Sequence, residues 1–322
     1  MPEKLGGHLM PSGEVAPESL SVTVGTGVRH LYEYPEGECE DVKVQVYADN
    51  ATTTDAVARA LLAASVSAVE AHGHFAVAIS GGSALGVLTV AAALVASGEE
   101  AGADWSKWHV FFADERVVPL TDADSNFKAA SDAFFSSPGV AIPREHVYTI
   151  AESLGVVQTA AEYEMRMASL PLDVLPREDG DSTSIPRLDY VLLGCGPDAH
   201  VASLFPNRPE VADRAGRWIV PVENAPKPPP SRVSFSMPLI NEARKVGIIV
   251  MGYNKSEAMQ RVLEVSALPG ALPAQMVRPR DGELVYYLDT QAASDLRHTE
   301  WEDDKSFPRS ELPKKPRKGK AK

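Results

Sequence analysis

The sequence predicts an α/β domain, a mostly parallel sheet covered by helices on both faces. Three observations carry this. A continuous apolar run at 75–79 and largely apolar ones at 108–113, 188–193 and 245–250 have the length and composition of strands buried on both sides. Longer helical stretches alternate with them, and strand–helix–strand repetition implies right-handed crossovers that place helices over the sheet. The chain also has 322 residues at 44% apolar composition, enough for one large core without metals or disulfides.

Residues 1–40 are rich in Gly, Pro and Glu without sustained periodicity, so a loose arm is expected there. Regular structure begins at Val42 with the alternating strand VKVQVYA. A helix of Ala and Leu is expected over 53–72, opened by Thr53 or Thr54 with Asp55 and closed near Gly73. FAVAIS at 75–80 is a buried strand, 84–97 a helix, and WHVFFAD at 108–114 the next strand. Residues 126–135 and 159–168 read as helices, followed by the strand LDYVLLG at 188–194. Further strands are expected at 218–222, 232–236 and 245–252, then a helix over 256–265 and a strand at 284–289. Residues 176–187 form a polar loop and 224–231 a proline-stiffened one, and no internal repeat is present.

Net charge is −13 and unevenly spread. Residues 313–322 carry six basic and no acidic side chains, leaving −19 on the rest of the chain. A body that acidic repels nucleic acid, and any anionic ligand must be held by a few local cations. Residues 301–322 read as a basic, disordered, solubilising tail, with a localisation signal or polyanion contact as the alternative. No apolar run reaches membrane-spanning length, and the first twenty residues lack the apolar core of a secretory leader. Cys39 and Cys195 lie too far apart in sequence to imply a disulfide framework, so a reducing, cytoplasmic setting is expected. The expected state is a monomer or weak dimer.

In parallel sheets ligands bind beyond the carboxyl ends of the strands. After strand 75–79 comes Ser80-Gly81-Gly82-Ser83, where glycines admit a close ligand and a helix start offers free N–H groups to an anion. After strand 108–113 comes Asp114-Glu115-Arg116, with Ser125-Asn126 beyond. Arg116 either grips a phosphate or carboxylate or closes an internal ion pair. After strand 188–193 comes Gly194-Cys195-Gly196-Pro197-Asp198-Ala199-His200. A carboxylate two residues from an imidazole fixes its tautomer and raises its basicity, which suits a general base. Pro197 and Pro206 break any dinucleotide fingerprint, no metal-ligand spacing surrounds the other seven histidines, and Gly-x-Ser-x-Gly is absent. No cofactor and no metal are expected, and Cys195 reads as packing. Arg232 follows the proline loop, and Lys255 opens a helix, a place the macrodipole disfavours unless an anion compensates.

Ser80-Gly81-Gly82-Ser83, then Asp114-Glu115-Arg116 with Ser125-Asn126, then Asp198-x-His200 through Ala202-Ser203-Leu204-Phe205-Pro206 resemble the 6-phosphogluconolactonase family in order and spacing. The resemblance runs from about residue 42 to about 296 and makes 41–300 the catalytic unit. It implies a single Rossmann-like domain that hydrolyses 6-phosphoglucono-1,5-lactone without a metal. It implies His200 as the base and Asp198 as its orienting partner. Gly81, Gly82, Ser83, Arg116, Arg232 and Lys255 would then handle the phosphate and the developing oxyanion, with the division among the cations left open. Two departures stand out: Ala199 and Val201 replace the family's usual Gly and Thr. Two rivals are weighed. A glucosamine-6-phosphate isomerase/deaminase would follow its His with an Asn-Glu-Pro-like stretch rather than Ser203-Leu204-Phe205-Pro206. A non-catalytic sugar-phosphate sensor fused to a DNA-binding module fits poorly with the acidic body.

Overall fold

The computed structural model describes residues 19–21, 31–33, 42–177, 184–212, 216–265 and 267–297. Ser19–Ser21 (β1) and Leu31–Glu33 (β2) pair antiparallel, where the sequence predicts only a loose arm. The remainder of that arm and the basic tail lie outside the described residues.

Seven strands form one parallel sheet: Val42–Tyr47 (β3), Phe75–Ile79 (β4), Trp108–Phe112 (β5), Val147–Tyr148 (β7), Tyr190–Gly194 (β8), Lys245–Val250 (β11) and Glu283–Asp289 (β12). Their spatial order is β3-β12-β11-β8-β4-β5-β7. Pleating sends alternate side chains to opposite faces. In β4, Phe75, Val77 and Ile79 enter one core cluster while Ala76 and Ala78 enter the other. In β12, Tyr286 and Leu288 divide likewise from Val285 and Tyr287. Both faces therefore need apolar residues, which is why these strands read as continuous runs. The helices Asn50–His72 (α1) and Ser83–Ser97 (α2) cover one face through Val57, Leu61, Val87 and Leu88. Val156–Ala168 (α4), the short Met237–Asn241 (α5) and Ser256–Glu264 (α6) bury Tyr163, Met167, Leu239, Met259 and Val262 in the cluster on the other.

Within the core the structure also departs from the expectation. Helix α1 starts earlier, at an Asp49 cap. Its carboxylate accepts from Thr52 N at 2.8 Å while Thr52 Oγ1 accepts from Asp49 N at 3.2 Å, a reciprocal pair that outcompetes Thr53 and Thr54. The expected helix over 126–135 is one α-turn, Asn126–Ala130 (α3), that widens into a π-helical turn at Ser131–Phe135. Finally, Asp114–Arg116 (β6), Ile219–Val222 (β9) and Arg232–Phe235 (β10) leave the main sheet and form a separate antiparallel one, ordered β6-β10-β9. Among the described residues no helix is long and apolar enough to cross a membrane.

Candidate active site

The carboxyl ends of β4, β8 and β11, with β6 and β10 beside them, surround an open cleft of about 220 Å³. Of the residues singled out by sequence, Gly81, Gly82, Ser83, Arg116, His200, Arg232 and Lys255 all line it. Asp198 stands behind His200.

The segment after β8 folds back on itself. Gly196 N donates to His200 O at 2.9 Å and Ala199 N to Gly196 O at 2.9 Å, so five residues close a loop. The loop brings Asp198 Oδ1 to 2.5 Å from His200 Nδ1. An ionised carboxylate only accepts, so Nδ1 carries the proton and Nε2 keeps its lone pair. Burial alone would raise the Asp198 carboxyl, but the hydrogen bond and charge of His200, then Lys227, outweigh it and hold it well below the usual carboxylate range. The Phe205 ring packs 4.7 Å from the imidazole.

The two departures from the family pattern now have a physical reading. Ala199 adopts φ +65°, the left-handed conformation that a Cβ disfavours, and Ala274 N pins it by donating to Ala199 O at 3.0 Å. The loop therefore keeps its shape and the alanine carries the strain. Val201 is fully buried in apolar surroundings, where a methyl in place of a hydroxyl is at no disadvantage. Ala199→Gly would relieve about 1–2 kcal/mol of left-handed strain. Against this stand about 0.5–1 kcal/mol of added unfolded-chain entropy and roughly 0.8 kcal/mol from a buried methyl. The expected net change in unfolding free energy is within about 1 kcal/mol by urea titration; a loss above about 2 kcal/mol would mean methyl packing dominates.

Gly82, φ +67°, precedes the first residue of α2 and leaves its first N–H groups without a side-chain cap. Gly81, Gly82 and Ser83 all line the cleft, so this helix start lies at its edge, the place an anion favours. Gly81 is required for space, since a Cβ there would lie 2.3 Å from Asn126 Oδ1. Asn126 is held by Asp114 O at 2.8 Å and through its backbone N–H to Glu115 Oε1 at 2.7 Å. Glu115 is thus a buried clamp that also accepts from Phe127 N at 2.8 Å, and burial raises its carboxyl even so. Asp114 accepts from Ser203 Oγ at 2.7 Å. Neither carboxylate pairs with Arg116, so the internal ion pair considered from sequence is not formed. Arg116 donates instead to Asp124 O, and its buried Nε has no partner among the described residues.

The other cations differ in kind. Lys255 caps α6, lines the cleft and is pushed below its ordinary value by burial. Its turn is fixed from below by Asp289, which accepts from Gly252 N at 3.0 Å. Arg232 is 5% exposed, and most of its donors are engaged with backbone. Nε reaches Pro229 O at 3.0 Å, and Nη2 reaches Lys227 O at 3.0 Å and Pro228 O at 2.9 Å. That grip carries Lys227 into the cleft, with Nζ 3.7 Å from Asp198 Oδ1. Sequence reasoning missed Lys227. The signal available was a lysine held among prolines in the loop leading to Arg232.

Cys195 lines the cleft as a buried thiol, pushed up to about 12 by burial, consistent with packing. His72, His74, His109 and His146 gather at the opposite end of the sheet, with His109 stacked 4.0 Å from His146. Burial, then His146 and His74, push His109 down to about 4. Among the described residues no cluster of three or more His, Cys, Asp or Glu is placed to hold a metal ion.

A family model described as glucosamine-6-phosphate isomerases/6-phosphogluconolactonase matches residues 48–286. The chain is 38% identical over 243 residues to Probable 6-phosphogluconolactonase 2 of Oryza sativa subsp. indica, covering 74% of this chain and 83% of the rice protein. It is 36% identical over 291 residues to 6-phosphogluconolactonase 3, chloroplastic, of Arabidopsis thaliana, covering 87% and 86%. The structure superposes on that of 6-phosphogluconolactonase from Trypanosoma brucei with a TM-score of 0.63 and 25% identity, covering 79% of this chain and 98% of the other. The match spans six of the seven strands of the main sheet in whole or in part, beginning just after β3, and the whole cleft, and the chain belongs to the glucosamine-6-phosphate isomerase/6-phosphogluconolactonase family.

Proposed function

We propose that the protein hydrolyses 6-phospho-D-glucono-1,5-lactone to 6-phospho-D-gluconate, the second step of the oxidative pentose phosphate pathway. The observation that carries this reading is the Asp198–His200 pair at 2.5 Å, its free Nε2 beside a cleft that also holds an uncapped helix start and the Lys255 ammonium. The substrate phosphate sits at the Ser83 turn with Lys255. His200 Nε2 takes a proton from water as the water oxygen attacks the lactone carbonyl carbon, and the ring C–O bond breaks as the tetrahedral adduct collapses, with His200 returning the proton to the leaving ring oxygen. Arg116 steadies the oxyanion, since it lines the cleft beside His200 with one Nη engaged by Asp124 O, while Arg232 is engaged by several backbone carbonyls. An activated ester needs no covalent intermediate.

The deciding experiment is acid release from freshly prepared 6-phosphogluconolactone with the spontaneous rate subtracted. Ammonia release from glucosamine 6-phosphate, with no acid release from the lactone, would transfer the chain to the isomerase branch of its family. Lys255→Ala is expected to weaken the phosphorylated lactone by roughly 1.5–3 kcal/mol, the range for charged hydrogen bonds. It should leave unphosphorylated gluconolactone nearly unchanged. Equal losses on both substrates would remove Lys255 from the phosphate site.

The cytoplasmic setting belongs to this reading and rests on sequence alone, whereas the similar Arabidopsis protein carries a chloroplastic name. Cell fractionation tests it. A monomer or weak dimer is part of the same proposal, tested by sedimentation.

A further inference from the structure

Resting on the lactone-hydrolysis reading, we propose that Lys227 is a positioning residue that acts through Asp198 to keep the His200 imidazole in its proton-accepting state.

One carboxylate oxygen carries the argument. Asp198 Oδ1 lies 2.5 Å from His200 Nδ1 and 3.7 Å from Lys227 Nζ. A carboxylate beside an imidazole orients it but also favours the imidazolium, which cannot accept a proton. A second cation on the same oxygen opposes that tendency, because protonating His200 would then bring two positive charges together. The pair keeps its orienting hydrogen bond while the second cation disfavours the imidazolium.

The position of Lys227 is built into the fold. Arg232 leaves β10 almost fully buried and donates to the carbonyls of Lys227, Pro228 and Pro229, at 2.9–3.0 Å. Ala225 N closes the same loop on Pro230 O at 2.9 Å. The Phe205 ring that packs on His200 also lies under the guanidinium, 5.7 Å away. A buried guanidinium bonded to neutral carbonyls is a loop clamp, and the loop it clamps delivers one charge to one carboxylate.

The other groups around His200 stay constant in the comparison below. They are Arg116 and Asp114 on β6, Arg232 on β10, Lys255 before α6, and the neutral Cys195 thiol on the same loop.

The test is Lys227→Met, which keeps the stem and removes the charge. Its readouts are the pH profile of kcat/KM and an NMR titration of the His200 ring. Losing the cation favours imidazolium, so the acid limb and the ring titration should both move upward. The Lys227 side chain is 43% exposed. Solvent screening therefore limits the shift to about 0.5–1 pH unit. The deficit is larger at about pH 6 than at about pH 8, on either side of the usual imidazole range. Lys227→Arg restores the wild-type profile, and Arg232→Lys, which loosens the clamp, reproduces the displacement. A deficit equal at all pH values, or a raised KM with an unmoved acid limb and ring titration, would overturn the inference. If the wild type does not hydrolyse the lactone, the functional reading fails instead, and the ring titration still decides the role of Lys227.

Discussion

Replacing His200 with alanine is expected to lower kcat on the phosphorylated lactone by on the order of 10²–10⁴, the usual worth of a positioned base. Asp198 Oδ1 fixes the Nδ1 proton at 2.5 Å, so Nε2 is the basic atom available in the cleft. Among the described residues no other imidazole replaces it, since His72, His74, His109 and His146 gather at the far end of the sheet. The variant should fold, because the loop is closed by backbone bonds from Gly196 and Ala199 that do not involve the ring. Residual catalysis would come from Arg116 and the bound geometry, as in other sites stripped of their base. Circular dichroism and stopped-flow acid release on the same sample test both halves. Unchanged turnover in a folded variant would remove His200 from the mechanism.

Gly196→Ala should approach the same loss without touching a catalytic group. A Cβ at this position would lie 2.0 Å from His200 Nδ1, 2.1 Å from Cε1 and 2.5 Å from Asp198 Oδ1. No heavy-atom contact survives at that distance, so the imidazole, the carboxylate or both must rotate away. Both are side-chain ends with a route to solvent, His200 at 17% and Asp198 at 37% exposure. Displacement therefore threatens alignment more than folding. A misplacement of about 1 Å at a reacting group is enough to lower rate by roughly 10². The expected result is a fall in kcat/KM of about 10² or more with a nearly unchanged urea midpoint. Wild-type turnover would mean that the loop relaxes as a whole and that the close approach is incidental.

The layered core was legible because burial on both faces writes itself locally. FAVAI and YVLLG carry no polar residue, since Phe75 and Ala76, or Tyr190 and Val191, enter opposite clusters. The Asp198–His200 pair was legible for the same reason of locality: two residues of loop fix the geometry once Gly196 leaves room. Helix α1 was found but its start misplaced, because Asp49 offered a reciprocal cap that the apolar period does not mark.

What the sequence determined by itself is whatever neighbours along the chain can settle. That includes the alternation of strands and helices, the Ser80-Gly81-Gly82-Ser83 turn and the acid–imidazole loop. What only the tertiary structure decided depends on residues far apart in sequence. The charged triplet Asp114–Arg116 has no apolar period, yet it becomes a strand because β10 pairs with it, Arg232 opposite Arg116. That pairing turns the two arginines to different work. Arg116 lines the cleft with an Nε that has no partner among the described residues, while Arg232 is drawn onto the carbonyls of its own proline loop. Lys227 reaches Asp198 only through that grip. A cation's position in sequence states its charge, but its partner is chosen by which backbone groups burial has left in need of a donor.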